Sequence, residues 1–404
     1  MSAAKKALPG RGVSSIQIFR QGPQFTQRRT FSQSPTCRSA ARDGEVESAR
    51  KYCMDLVRKY DRSSYVLSTF IPPQSQSFYL ALQALNISLS MIPDTTSSHT
   101  IGLMRLQFWR DTISRTLSGS PPKEPVAIFL GAAIEDLRAR TTQHSGQAAR
   151  LSKGWFLRMI NARERSLTNT PYTTIAELES YAENTYSTLL YLTLSSLPLT
   201  SLTVDHVASH VGKAAGIAAV LRGLPLVAFP PPPNHHTNQT AALGGQGTQQ
   251  QGAITLPLDV MAQAGVKEED IFRQGAAAPG LKDAVFAVAT RANDHLITAR
   301  QMLKNLRAGQ DVGHEFEHEG EEGHEYAAAP SQQHTSEKNQ GQSPYELQLK
   351  EVERGFGVLM PAIPTQMWLD KLEKVDFDIF NTNLLRSDWK LPWKAYLAHR
   401  SQSF

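Results

Sequence analysis

Apolar side chains recur with a period of about 3.6 residues along most of this 404-residue chain. That period places them on one face of an α-helix, whereas a strand with one buried face needs a period of two. The pattern predicts helices over residues 45–60, 75–92, 100–117, 126–140, 153–167, 173–196, 204–221, 281–306, 366–375 and 389–399. The sequence contains no alternating strand pattern with hairpin turns, so it predicts an all-α protein.

The first 42 residues differ in composition from the rest of the chain. They contain eight cations and no acid, since Asp43 is the first acidic residue. Arginine-rich and serine-rich N-terminal segments without acids are typical of mitochondrial transit peptides. Residues 28–32 (RRTFS) also resemble a site cut by matrix processing peptidases. We therefore expect residues 1–42 to be a transit peptide and disordered leader, followed by a single domain over residues 43–404.

The positive charge of the chain belongs to this leader. The formal net charge is +5, and without the eight leader cations the remainder carries −3. Such a body has no bulk positive charge for nucleic acid, so we expect no nucleic-acid partner. The most apolar stretch, residues 189–202, is interrupted by several polar residues and a proline. This pattern predicts a body that is soluble or peripheral to a membrane.

Two segments interrupt the helical pattern, over residues 230–252 and 309–343. The first begins with four prolines, and the second is rich in His, Glu, Gly, Gln and Ser. We interpret both as low-complexity insertions, because neither buries enough apolar surface to offset the entropy of ordering. The second contains His314-Glu315-x-x-His318, which matches a zinc-protease pattern without the apolar helix face that such a site requires. The sequence thus predicts no metal site.

Residues 101–111 (IGLMRLQFWRD) form a dense mixture of apolar and cationic side chains. There are two interpretations of its candidate residues Arg105, Trp109 and Arg110. The segment is either a core helix with arginines that extend to solvent, or a pocket wall whose arginines face an acidic ligand or partner.

Polar residues also lie within two helices that otherwise have the composition of buried helices. Tyr181 and Asn184 belong to a polar stripe that either lines a cavity or bonds neighbouring helices. Lys213 follows His206 and His210, which are spaced four apart. Tyr181, Asn184 and Lys213 are therefore further candidates for a pocket or a partner-binding surface.

From residue 53 to 306 and again at 375–380, the chain resembles the squalene/phytoene synthase superfamily. The matching segments, in order, are 101–111, 125–128 (PVAI), 181–184 (YAEN), 189–192 (LLYL), 206–214 (HVASHVGKA), 256–259 (LPLD) and 375–380 (VDFDIF). The resemblance implies an isoprenoid-synthase-like helical bundle around a central cavity. More narrowly, the chain is similar to the mitochondrial assembly factors within that superfamily that serve NADH:ubiquinone oxidoreductase (complex I).

The enzymes of this superfamily ionise prenyl diphosphates with magnesium ions held by acids on two helices. Residues 83–94 and 216–223 resemble those helices, but most of the metal ligands are replaced. The acid positions are replaced by Ser90, Gly223, Leu226 and Val227, and the glutamine and asparagine that precede the second set of acids in the enzymes are replaced by Gly216 and Ala219. Asp94 and Arg222 are the recognisable remnants. The resemblance therefore implies a pseudoenzyme without catalytic residues, metal or cofactor.

Taken with the leader, the resemblance implies a non-catalytic assembly factor on the matrix side of the mitochondrial inner membrane. Its expected partners are complex I subunits or other assembly factors, or an apolar isoprenoid-like ligand. Two alternatives remain open at this point: a divergent prenyl-diphosphate transferase, and an isoprenoid or lipid carrier.

Overall fold

The computed structural model describes residues 35–96, 98–143, 151–197, 199, 202–230, 252–310 and 344–404. All regular secondary structure in these residues is helical, so the predicted all-α class is confirmed. Residues 43–404 form one compact unit, and the packing described below lies within it. Most of the predicted leader lies outside the described residues, as do 231–251 and 311–343 of the predicted insertions.

Sixteen α-helices occur in the described part of the chain. They are α1 (Pro35–Tyr60), α2 (Arg62–Leu67), α3 (Pro73–Ser90), α4 (Ile92–Thr95), α5 (His99–Leu117), α6 (Pro125–Gln143), α7 (Lys153–Arg165), α8 (Ile175–Ala182), α9 (Thr188–Leu194), α10 (Leu202–Ala228), α11 (Leu258–Gln263), α12 (Glu268–Gln274), α13 (Leu281–Arg307), α14 (Pro344–Leu359), α15 (Ala362–Lys374) and α16 (Leu391–Ser401). A π-helical turn, Glu183–Ser187, joins α8 to α9.

Helix α10 is the centre of the bundle. It packs against α8, α9, α13, α14 and α15, and apolar or small side chains occur around its whole circumference. It is also the one helix in the described residues that is long and apolar enough to cross a membrane, with a mean hydropathy of 1.5, but 56% of that stretch is buried. The sequence pattern instead places the most apolar stretch at residues 189–202, so this prediction missed α10.

The predicted end of this helix near residue 221 is wrong. Helix α10 continues to Ala228, with Pro225 inside it. A proline removes one helical hydrogen bond, and here the packing of the surrounding helices outweighs that loss.

The two described ends of the first insertion lie close together. The Ala253 amide donates a hydrogen bond to the Val227 carbonyl at 3.1 Å.

The continuous segment from α8 through the π-turn to α9 separates two groups of helices. Helix α7 packs on one side of this segment together with α3, and α10 packs on the other. Thr174 begins α8 by accepting a hydrogen bond from the Glu177 amide, and Asp259 accepts another from the Ile175 amide at 3.1 Å. These two hydrogen bonds cap the N-terminus of α8, and they fix the position of the segment that carries the polar stripe.

The remaining differences from the sequence pattern concern short or isolated helices. Helices α2, α4, α11, α12 and α14 were not predicted, and α1 begins at Pro35 rather than at residue 45. Helices α2 and α4 have only six and four residues. Helices α11 and α12 have six and seven residues, too few for a 3.6-residue period to be recognisable. Helix α14 begins directly after the second low-complexity segment, which obscures its start.

Candidate functional site

A half-buried arginine joins three helices beside the polar stripe. Arg163 on α7 donates to the Tyr181 hydroxyl at 2.6 Å and to the Asn86 side-chain oxygen of α3 at 2.8 Å. Its guanidinium carbon also lies 5.5 Å from the centroid of the Tyr181 ring and 5.9 Å from that of Tyr186. Burial opposes the charge, but the tyrosine hydroxyls outweigh it and raise the pKa of Arg163. We call these four residues the Arg163 cluster.

The Arg163 cluster lies on the helix that carries the first degenerate motif. Asn86 is one helical turn before Ser90, the first motif position, and therefore on the same side of α3. The Ser90 hydroxyl donates to the Ile87 carbonyl of its own helix at 2.9 Å. A protein cation thus contacts the side of α3 on which the resemblance expects magnesium ligands.

The second degenerate motif lies in a close contact between helices. A Cβ atom on Gly216 would lie 2.5 Å from the Cβ of Ala182 and 3.0 Å from the Tyr186 ring. Gly212, one turn earlier, approaches Ser187 even more closely. Only glycine lets α10 approach α8 and the π-turn at this distance. The position at which the resemblance expects glutamine therefore has no space for a side chain.

The two motif remnants lie in different surroundings. Asp94 is exposed on α4, where the neighbouring Thr95 hydroxyl accepts a hydrogen bond from Arg105 at 2.9 Å. Arg222 is exposed and lies over the Trp368 ring of α15, 5.3 Å from its centroid. The structure does not bring Asp94 and Arg222 together into one site.

A second polar network crosses the interior between α8, α10 and α13. Glu179 accepts hydrogen bonds from Arg291 and from the His295 Nε2 atom, the latter at 2.8 Å. The other nitrogen of His295 lies 2.9 Å from His210 Nδ1. Burial favours the neutral form of Glu179, but Arg291 and His295 outweigh it and lower the pKa of that carboxyl to about 2. This network joins α8 to α13 through the Glu179–Arg291 ion pair, and it joins the central helix α10 to α13 through the contact between the two histidines.

The three candidates on α5 differ in exposure. Arg105 is exposed, while Trp109 is buried and contacts the Phe108 ring edge-on. Arg110 forms an ion pair with Glu164 and donates to Asn161 at 2.9 Å, both on α7. Trp109 and Arg110 thus join helices of the bundle, as in the core-helix interpretation. Arg105 remains accessible to a partner.

The other candidates are integrated into the bundle. The Asn184 side-chain oxygen accepts from Arg158 at 2.7 Å, and the Tyr181 hydroxyl accepts from Arg163. Lys213 is buried on α10. The polar stripe bonds neighbouring helices, which is one of its two interpretations. The six candidates therefore do not converge on one pocket.

The residues of these two networks that the sequence analysis missed are Asn86, Arg163, Glu179, Arg291 and His295. Arg163 lies in a stretch rich in charged residues, and nothing local distinguishes it from the exposed Arg165. No group of three or more His, Cys, Asp or Glu side chains within the described ranges is arranged to hold a metal ion. His314 and His318 lie outside those ranges.

Comparison with known proteins places this geometry in a family. The squalene/phytoene synthase family matches residues 57–313. The assembly factor 6 of NADH dehydrogenase (ubiquinone) complex I from Bos taurus is 32% identical over 347 residues, which cover 86% of this chain and 80% of the relative. Its Drosophila melanogaster homologue is 35% identical over 257 residues, 62% of this chain and 67% of the relative.

Solved structures share the fold. A dehydrosqualene synthase superimposes with a TM-score of 0.58 at 13% identity, covering 89% of this chain and 98% of the enzyme. A squalene synthase from Alicyclobacillus acidocaldarius gives a TM-score of 0.53 at 14% identity, covering 83% and 96%. Both confirm the predicted isoprenoid-synthase-like bundle. The chain belongs to the squalene/phytoene synthase family and, within it, groups with the relatives named complex I assembly factor 6.

Proposed function

We propose that this chain is a non-catalytic mitochondrial assembly factor for NADH:ubiquinone oxidoreductase (complex I), and that it acts by binding. The relatives named assembly factor 6 support a role in the assembly of complex I, and the acid-free leader supports a mitochondrial location. The matrix side of the inner membrane is the location that we propose, because a matrix transit peptide would deliver the chain there.

The observation that carries the non-catalytic part is the replacement of the acids of the second motif by Gly223, Leu226 and Val227. Ionising a prenyl diphosphate requires magnesium, and magnesium requires inward oxygen ligands on both motif helices. Helix α10 also lies against α8 so closely that position 216, where the resemblance implies a glutamine, has no room for a side chain. The bundle uses this part of the ancestral site for helix packing.

The Arg163 cluster supports the same conclusion at the first motif. Arg163 supplies a fixed positive charge next to Asn86, one helical turn before Ser90, the first position at which the resemblance expects an acid. A guanidinium there repels a divalent cation, since like charges a few ångströms apart raise the free energy strongly in a low dielectric. The charge of Arg163 therefore works against metal binding on this side of α3.

A surface on α5 supports a protein-binding role. Ile101, Met104 and Phe108 are exposed at positions that share one face of the helix, and Arg105 lies next to them. Met104 is 67% exposed. Flexible methionine beside aromatic and aliphatic side chains suits a contact with an apolar protein surface. We propose this α5 surface as the site that binds a complex I subunit or another assembly factor.

A rescue experiment tests the proposal. Cells that lack their own assembly factor 6 would receive this chain, and assembled complex I would be measured on native gels. We expect the wild-type chain to restore complex I, and Met104→Ser/Phe108→Ser to restore much less. Phe286→Ser/Ile297→Ser, which removes two exposed apolar side chains from α13, is the matched control and should rescue fully.

A parallel enzyme assay addresses the alternative of a prenyl-diphosphate transferase. The purified chain would be incubated with farnesyl or geranylgeranyl diphosphate and magnesium. We expect no diphosphate release above the background. Turnover that disappears in a folded Asp94→Asn variant would overturn the non-catalytic proposal, and full rescue by Met104→Ser/Phe108→Ser would overturn the α5 surface.

A further inference from the structure

Helix α16 and the residues before it expose an unusual amount of apolar surface. Trp389 is 75% exposed, Trp393 69%, Leu397 61% and Leu385 67%, and Tyr396 is also exposed. The chain contains five tryptophans, and the other three, at positions 109, 155 and 368, are buried or half-buried. The exposed tryptophans of the described residues therefore both lie in this one segment.

The orientation of α16 explains this exposure. The helix packs against α15 and α2 through a narrow row formed by Leu391, Ala395 and Ala398. These positions are spaced by three or four residues and occupy one side of the helix. Trp393 and Leu397 are four residues apart on the opposite side, so the packing of α16 onto the bundle directs them outward. The exposed aromatic face thus follows from the fold and not from local disorder.

The same face carries positive charge. Residues 385–404 contain four cations and a single acid, Asp388, and that acid pairs with Lys371 at 2.7 Å. Lys390 and Lys394 are exposed, and the Lys390 ammonium group lies 5.6 Å from the centre of the Trp389 ring. Because the chain beyond the leader has a net charge of −3, this cationic segment contrasts with the rest of the body.

We propose that this face, formed by Leu385, Trp389, Lys390, Trp393, Lys394, Tyr396 and Leu397, binds the surface of an anionic phospholipid bilayer. Tryptophan and tyrosine are enriched where a bilayer meets water, because their rings are apolar and their N–H or O–H groups remain hydrated. Lysines beside them attract anionic headgroups. Charged residues are depleted at the core of a protein–protein interface, whereas here lysines lie among the exposed tryptophans.

Two features of the face together provide reversible binding. A short amphipathic helix that lies in the plane of the interface gains free energy from buried apolar area and from attraction to anionic lipid. The strength of binding increases with both contributions. The face on α16 contains both, so it would keep the bundle on a membrane surface without a membrane-spanning segment.

Fluorescence quenching with lipid vesicles tests the inference on the full-length chain. The vesicles would contain phosphatidylcholine with or without phosphatidylglycerol, and their acyl chains would carry bromine, which quenches tryptophan at close range. The leader contains eight cations but no tryptophan, so quenching reports on the folded surface even where the leader itself adheres. We expect quenching with the anionic vesicles, and weaker quenching at high salt.

Two double variants keep both tryptophans as reporters. Lys390→Gln/Lys394→Gln should lower partitioning into anionic vesicles about thirtyfold, from the typical contribution of a cation near such a surface. Leu385→Ser/Leu397→Ser should lower partitioning about tenfold or more into either vesicle, because it removes two apolar side chains. Phe286→Ser/Ile297→Ser on α13 is the matched control and should bind as the wild type does.

Three outcomes would overturn the inference. Sedimentation of the wild type without tryptophan quenching would show that only the leader binds lipid. Unchanged quenching in both Lys390→Gln/Lys394→Gln and Leu385→Ser/Leu397→Ser would show that another surface of the protein inserts into the membrane. A dimer in solution that Leu385→Ser/Leu397→Ser converts to a monomer, with no vesicle binding by the wild type, would assign the face to self-association. Circular dichroism and melting temperature would confirm that each variant is folded.

Discussion

Gly216 on α10 and Ala182 on α8 are so close that a Cβ atom at position 216 would lie 2.5 Å from the Ala182 Cβ. Real Cβ atoms do not approach other atoms this closely, so one helix would have to move. The contact brings together the central helix and the helix that carries the polar stripe. It also involves position 216, which belongs to the second of the two motifs at which this chain resembles the enzymes.

Restoring the residue expected from the enzymes at this position should therefore destabilise the bundle. We expect Gly216→Gln to lower the free energy of unfolding by about 3 kcal/mol or more, because inserting a side chain forces backbone shifts in a close-packed core. Gly223→Asp is the matched control, since a Cβ atom there meets nothing within 4 Å. Thermal melting compares the two. A Gly216→Gln protein as stable as Gly223→Asp would contradict the packing that we describe.

Arg163 should contribute to stability through its two side-chain acceptors. Arg163→Lys retains the charge but cannot reach Asn86 and Tyr181 with the same fork geometry. We expect a loss of about 2 kcal/mol, the usual range for hydrogen bonds to a charged group. The exposed Arg165 on the same helix provides the control, and Arg165→Lys should change stability by less than about 0.5 kcal/mol. Urea unfolding measures both, and equal midpoints would contradict this role.

Glu179 should stabilise the fold in a pH-dependent manner. Its pKa is lowered to about 2, so its contribution is present above the unfolded-state pKa near 4.3 and is lost as the pH falls towards 2. We expect Glu179→Gln to cost about 3 kcal/mol at pH 7 and progressively less below pH 4. Denaturant unfolding at several pH values tests this. A cost that does not decrease in acid would mean that the Glu179 charge is not the origin of the effect.

Asp205, in the first turn of α10, should have the opposite effect. Burial raises its pKa to about 6, although a helix N-terminus favours a negative charge. Its ionisation therefore opposes folding, with a penalty that is absent below about pH 4 and complete above about pH 6. We expect Asp205→Asn to raise stability on the order of 1 kcal/mol at pH 8 and little at pH 4.

The control for Asp205 is Asp283, an exposed acid in the first turn of α13. Asp283→Asn should not produce a gain that grows with pH, because its carboxylate remains in water. A gain of equal size in both variants at pH 8 would assign the effect to net charge and not to the burial of Asp205.

Asp94 should be dispensable for assembly. It is exposed, and it lies on α4, apart from Arg222. We expect Asp94→Asn to restore complex I in the rescue cells to the level of the wild-type chain. If a folded and abundant Asp94→Asn protein fails to rescue, the carboxylate has a chemical role, and the transferase alternative regains support.

The helical class, the family and the substitution of the motif acids could be read from the sequence, because each depends on residues that are close together along the chain. The apolar period defines helix faces without reference to any partner. Ser90 and Gly223 are recognisable as substitutions from their place in a local motif. The length of α10 beyond Pro225 could not be read in this way, because the surrounding helices outweigh a local helix-breaking signal.

The roles of individual side chains were decided by contacts between distant parts of the chain. Arg163 and Arg165 are two residues apart and chemically equivalent, but only Arg163 meets Asn86 and Tyr181. Trp109 and Trp393 both lie on amphipathic helices, but one is buried and the other is exposed. Periodicity predicts that a helix has two faces, while burial depends on which face another helix covers. The tertiary packing of α7 against α3, and of α16 against α15, determines which face of each helix is buried.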